Sequence, residues 1–119
     1  MKPNESITIY HNPRCSKSRQ TLQLIEERGI TPTIVDYLKT PPNVTELSNI
    51  ITLLGIEPMD LVRRGEDAFK TTDFANQSKD EQIKIMTENP ILIERPIVSN
   101  QKKALIGRPP ESVLSLLDE

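Results

Sequence analysis

The only histidine and the only cysteine of the chain stand four residues apart, in His11-Asn12-Pro13-Arg14-Cys15-Ser16-Lys17-Ser18-Arg19. A thiol becomes a nucleophile only as its thiolate, so the question is what ionises Cys15. If a helix begins at Cys15, the sulfur meets unpaired backbone N–H groups and the positive end of the helix dipole. Ser16 and Ser18 add hydroxyl donors, and Arg14, Lys17 and Arg19 add positive charge. Such surroundings bring a cysteine pKa from about 8.5 into the range of roughly 3.5–7.5. The same N–H groups form an anion site, so one place could hold both a nucleophile and its anionic target.

The competing reading makes Cys15 a small core residue, as lone cysteines often are. Its polar neighbours favour the reactive reading. His11 can tune the thiolate or shuttle a proton, or it can simply hydrogen bond at the end of a strand; both options stand. Pro13 reads as loop geometry. Cys15-Ser16-Lys17-Ser18 has C-x-x-C spacing with serine in the second position. Without a resolving thiol, the nucleophile must hand its adduct to an outside thiol. Ser18 is also an ordinary first-turn helix residue, and the two roles are compatible. A phosphatase-type C-x5-R loop is rejected, because position 21 is Thr21.

The elements around this stretch must present it. Ser6–Tyr10 alternates and is β-branched, which reads as a strand. Lys17–Arg28 reads as a helix with Leu22, Leu24 and Ile25 for a core, stopped by Gly29. Thr33–Leu38 is a second strand, so a β-α-β unit with parallel strands is expected. After Pro41-Pro42, Asn43 and Glu46 make a capping box for a helix with Val44, Leu47, Ile51 and Leu54, closed by Gly55. A short helix fits Pro58–Arg64, Thr71–Gln77 reads as loop, and Ser78 with Glu81 caps a third helix carrying Ile83 and Met86. Asn89-Pro90 ends it. Pro96–Ser99 and Lys103–Ile106 read as strands joined by a hairpin turn over Ser99-Asn100-Gln101-Lys102. Pro109-Pro110-Glu111 opens a last helix with Val113, Leu114, Leu116 and Leu117. The expected order is β-α-β, three helices, β-β-α.

The totals agree with one compact domain over residues 1–119. Its core must be aliphatic, because there are two Phe, two Tyr and no Trp. A net charge of −2 argues against binding to nucleic acid or anionic lipid. No apolar run reaches membrane-span length, and Met1–Ser6 lacks the apolar centre of a signal peptide, so a cytoplasmic protein is expected. A monomer is the expectation for its assembly. One cysteine and one histidine give little basis for a zinc site, and no bound metal is expected.

Three further basic places stand out: Arg63-Arg64, Arg95 before Pro96, and Arg108 before Pro109. Each read alone is a solvated charge or an ion-pair partner. Arg95 and Arg108, however, sit where proline stiffens the chain, and arginine suits a multidentate grip on an oxyanion.

Together these residues resemble the glutaredoxin-linked arsenate reductase family. The match runs through His11-Asn12-Pro13-Arg14-Cys15, Ser18-Arg19-Gln20-Thr21-Leu22, Leu61-Val62-Arg63, Asn89 to Val98, and Arg108-Pro109, spanning roughly Ile7 to Leu117. Well-studied members have Gly-Thr where this chain has Ser16-Lys17; a less characterised branch carries Cys-Ser-Lys-Ser. The resemblance implies an α/β, thioredoxin-like mixed sheet with a helical insertion over about 43–92, and a cis Arg95–Pro96 bond. It implies Cys15 as the nucleophile, with His11 and Ser18 beside it, and Arg63, Arg95 and Arg108 as the oxyanion grip. Whether Arg64 replaces Arg63 is left open. The implied activity is reduction of arsenate to arsenite with electrons from glutathione and glutaredoxin and with no bound cofactor. Two alternatives come with the same fold: a glutathione-dependent reductase of another substrate, and an RNA-polymerase-binding regulator without enzymatic activity.

Overall fold

The computed structural model describes residues 7–100 and 102–117. The chain divides into two compact units: one runs up to Tyr37 and resumes at Arg95, and the other is Leu38–Glu94.

The first unit carries the sheet. Strand β1 (Thr8–His11) leads into helix α1 (Ser16–Glu27), and β2 (Thr33–Asp36) returns parallel to β1, with Thr8 opposite Thr33 and His11 opposite Asp36. Strands β3 (Ile97–Ser99) and β4 (Ala104–Ile106) complete the order β2-β1-β3-β4; β3 runs antiparallel to both β1 and β4. This is the thioredoxin-like α/β architecture. At the β3–β4 turn, Asn100 Oδ1 accepts from the N–H groups of Lys102 and Lys103; Gln101 lies outside the described residues, as does Ser6 of the expected first strand. The chain then forms a 3-10 turn at Pro110–Val113 before the short helix at its end, Leu114–Leu117.

One face of the sheet is covered by α1 and this C-terminal segment. Ile7, Ile9, Ile25, Ile30, Val98, Val113 and Leu116 form the buried cluster, with Leu22, Leu105 and Leu117 packed against it. At roughly 1.5–3 kcal/mol for each fully buried aliphatic side chain, this cluster is what fixes α1 on the sheet. With α1 fixed, the residue at its start is fixed too. That residue is Cys15, the N-cap, with extended φ −93° and ψ 122°.

The second unit is the helical insertion. Helix α2 (Val44–Leu54) has the expected capping box: Asn43 Oδ1 accepts from Glu46 N–H, and Glu46 Oε1 accepts from Asn43 N–H. Gly55 ends it at φ 69°, a left-handed conformation that glycine adopts without a Cβ penalty. Helix α3 is shorter than expected, Pro58–Leu61 instead of Pro58–Arg64. Val62 turns extended and forms an antiparallel bridge with Ile93, while Arg63 N–H donates to Leu92 O and Glu94 N–H to Leu61 O. Long-range pairing here overrides helix propensity.

The stretch read as loop contains the end of α4 (Asp67–Thr71) and a 3-10 turn at Phe74–Asn76. No residue of α4 is fully buried, and at five residues it is too short for an apolar stripe to announce it. Helix α5 (Lys79–Glu88) starts on Ser78, whose Oγ accepts from Glu81 N–H, and buries Ile83, Ile85 and Met86. In chain order the C-terminal helix Leu114–Leu117 is α6. No helix among the described residues is long and apolar enough to cross a membrane.

Candidate active site

The exit of β1 is built by Asn12. Its Oδ1 accepts from Arg14 N–H at 2.9 Å, and its carbonyl accepts from Cys15 N–H at 3.0 Å. This local turn stops the strand and delivers the chain to α1, which is what asparagine before proline favours. Arg19 closes the loop from the far side, donating from Nη1 to Pro13 O at 2.9 Å.

Ser18 is fully buried, and its hydroxyl serves the loop. Ser18 Oγ accepts from Asn12 N–H at 3.0 Å and lies 2.6 Å from His11 Nδ1. His11 is itself buried, and its pKa is lowered: burial lowers it most, Arg19 lowers it further, and Asp36 and Glu26 oppose. A neutral imidazole accepting the Ser18 hydroxyl proton at Nδ1 fits this pattern, and that tautomer is assigned from the hydrogen bonds. The His11 contact therefore runs to Ser18, the hydrogen-bonding option of the two left open by the sequence. The Ser18 hydroxyl is engaged with His11 and Asn12, so Ser18 acts on the sulfur through its backbone N–H.

Cys15 is partly exposed and free. Its thiol pKa is lowered although burial pushes it up. The backbone N–H of Ser18, the Arg95 guanidinium, the backbone N–H of Lys17 and the charge of Arg108 together outweigh burial. Guanidinium groups that favour the thiolate thus come from Arg95 and Arg108, far along the chain, in addition to the nearby Arg14, Lys17 and Arg19 of the local reading. Arg14 and Lys17 are exposed, and Arg19 is turned onto Pro13 O.

The two arginines are locked together. Arg108 donates from Nη2 to Cys15 Sγ at 3.4 Å and from Nε to Arg95 O at 2.7 Å. Gly107 N–H donates to Pro96 O at 2.8 Å. Both Arg95–Pro96 and Arg108–Pro109 are cis; the first was expected and the second was not. A planar guanidinium beside a thiolate offers donors to an incoming oxyanion while holding the nucleophile ionised.

The structure thus brings Cys15, Ser18, His11, Arg95 and Arg108 into one unit. Arg63 belongs to the other unit, on the extended segment after α3. There its Nη1 donates to Glu94 Oε1 at 2.7 Å, and its Nε lies 3.5 Å from Glu66 Oε2. Neighbouring Arg64 donates to Met59 O at 3.2 Å. Asn12, Thr21 and Gly107 were given no role of their own by the sequence reading. Only Asn12 carried a local signal, the Asn-Pro pair. Among the described residues, no group of three or more His, Cys, Asp or Glu is placed to hold a metal ion.

Comparison with known proteins gives consistent results. The sequence profile of the ArsC family matches residues 10–116. The chain is 47% identical over 115 residues to an arsenate reductase from Haemophilus influenzae, covering 94% of this chain and 99% of that protein. It is 46% identical over 116 residues to an Escherichia coli K12 protein named "Uncharacterized protein YfgD", covering 95% and 98%. A solved arsenate reductase from Vibrio cholerae is similar in structure with a TM-score of 0.90 and 45% identity, covering 93% of this chain and 97% of that one.

Proposed function

This chain belongs to the ArsC family, and from that membership we propose that it reduces arsenate to arsenite through the Cys15 thiolate. The observation that carries the reading is a partly exposed thiol with a lowered pKa, with Arg108 donating to its sulfur and Arg95 favouring its ionised form.

In the proposed reaction, arsenate is held by Arg95 and Arg108, whose charge offsets repulsion between two anions. The Cys15 thiolate attacks arsenic, forms an S–As bond and expels hydroxide. Glutathione thiolate then attacks the Cys15 sulfur, because the chain has no second thiol. The S–As bonding pair passes to arsenic, so As(V) becomes As(III) and arsenite leaves. The two sulfurs end as a mixed disulfide. A glutaredoxin thiolate attacks its glutathione sulfur and takes up the glutathione, which frees the Cys15 thiolate. A further glutathione reduces glutaredoxin, leaving oxidised glutathione. His11 and Ser18 position the loop that presents Cys15. Arg63 keeps its place as a third arginine of the reaction; its guanidinium already pairs with Glu94 and Glu66, and Arg63→Ala in the assay below should lower kcat/KM if it also serves the reaction. A monomer in the cytoplasm, where thiols stay reduced, suits this chemistry.

The test is arsenate-dependent NADPH oxidation with glutathione, glutaredoxin and glutathione reductase supplied. Wild type should turn over, Cys15→Ser should be flat, and Arg95→Ala and Arg108→Ala should each lose about a hundredfold in kcat/KM. A flat wild-type trace beside a working arsenate reductase would overturn the proposal.

A further inference from the structure

Gly107 is the residue between strand β4 and Arg108, and its missing side chain is a matter of space. A Cβ built there would lie 2.6 Å from Thr21 Oγ1, 2.8 Å from Pro96 Cγ and 3.2 Å from Thr21 Cγ2. At Gly29, Gly55 and Gly65 the same atom would meet nothing within 4 Å.

Neither neighbour of Gly107 can easily give way. Thr21 is fully buried in α1, and its Oγ1 donates to Lys17 O at 2.8 Å, which fixes its rotamer one turn after the helix start. Pro96 is a rigid ring, buried, and its carbonyl accepts the Gly107 N–H. So the backbone of Gly107 lies directly against the helix that carries Cys15 and against the proline that follows Arg95.

The next residue is the one that reaches the sulfur. Arg108 bridges Arg95 O and Cys15 Sγ. Coulomb interaction falls with distance, so any widening of this joint weakens the field on the thiolate.

We infer that Gly107 is a positioning residue for the thiolate: its lack of a side chain sets how closely Arg108 approaches the Cys15 sulfur. The inference rests on the proposed role of Cys15. Its test needs no arsenate, so a failed turnover assay and a failed titration are separate results.

The experiment is a pH titration of the Cys15 thiolate by its ultraviolet absorbance, in wild type, Gly107→Ala, Arg108→Gln and the Gly107→Ala/Arg108→Gln pair. Gly107→Ala should raise the thiol pKa by roughly one unit. The paired variant should titrate close to Arg108→Gln alone, because both changes remove the same interaction. A Gly107→Ala protein with the wild-type thiol pKa but a lower denaturation midpoint would overturn the inference, leaving only a packing role. Should Gly107→Ala fail to fold, Thr21→Ala/Gly107→Ala removes the 2.6 Å and 3.2 Å obstacles and keeps only Pro96 Cγ. That variant should still titrate above Thr21→Ala alone, and an equal pKa would overturn the inference as well.

Discussion

At the scale of single residues, the thiol of Cys15 is governed by two kinds of donor. The first-turn amides of Ser18 and Lys17 come with the helix and survive any side-chain change. The guanidinium groups of Arg95 and Arg108 do not. Iodoacetamide alkylation against pH should therefore reach half its maximum in wild type below the ordinary thiol value of about 8.5. It should shift upward in Arg95→Ala and in Arg108→Ala. Arg14→Gln and Lys17→Gln should leave it near wild type, although both residues are closer in sequence. An equal shift in all four variants would mean that bulk charge, and not these contacts, sets the pKa. Ser18 makes a different prediction. It is fully buried and serves both Asn12 N–H and His11 Nδ1. Ser18→Ala should lower stability by about 1–3 kcal/mol in denaturant titration, the cost of leaving buried polar groups unpaired. Ser18→Thr adds a methyl group where there is no exposed surface and should not rescue it.

At the scale of elements, what the sequence made legible was what neighbouring residues decide. Asn43 and Glu46 announced α2, and Gly55 its end, because caps are short-range chemistry. Replacing Asn43 with Ala should cost about 1 kcal/mol, read from the denaturation midpoint; no loss would mean that the cap contributes nothing here. The β-α-β start was legible for the same reason: strand alternation, then a polar turn, then a helix stopped by Gly29. What stayed hidden was decided at long range or left no pattern. Val62 leaves helix α3 because Ile93 pairs with it. Helix α4 has no fully buried residue, and at five residues it is too short to show a period. In the site, the Cys15 turn could be read from residue types. Arg95 and Arg108 stood out beside their prolines as residues suited to an oxyanion, but their place beside position 15 came only from resemblance, since no local rule says that either approaches it. Gly107 was unreadable, because its neighbours Thr21 and Pro96 meet only in the fold.

At the scale of the whole molecule, the buried histidine links stability to pH. His11 has a folded pKa below its ordinary 6.5, chiefly because burial disfavours the charged form. Between those two values the unfolded chain binds more protons than the folded one, so stability rises with pH there. The sign follows: the His11 contribution is fully present above about pH 6.5, declines as pH falls below that value, and is lost once pH has fallen through the folded pKa. Denaturant midpoints measured at intervals across this window should fall as the solution is acidified. The Cys15→Ser background removes the thiol's own linkage, which acts at higher pH because a lowered acid pKa stabilises the ionised folded form. His11→Asn is the informative comparison. An Asn amide oxygen can accept the Ser18 hydroxyl proton in place of Nδ1, yet it does not titrate. This variant should hold its midpoint across the same window while the histidine protein loses stability. If both decline in parallel, the pH dependence belongs to other groups, and the buried imidazole is not what limits the protein in mild acid.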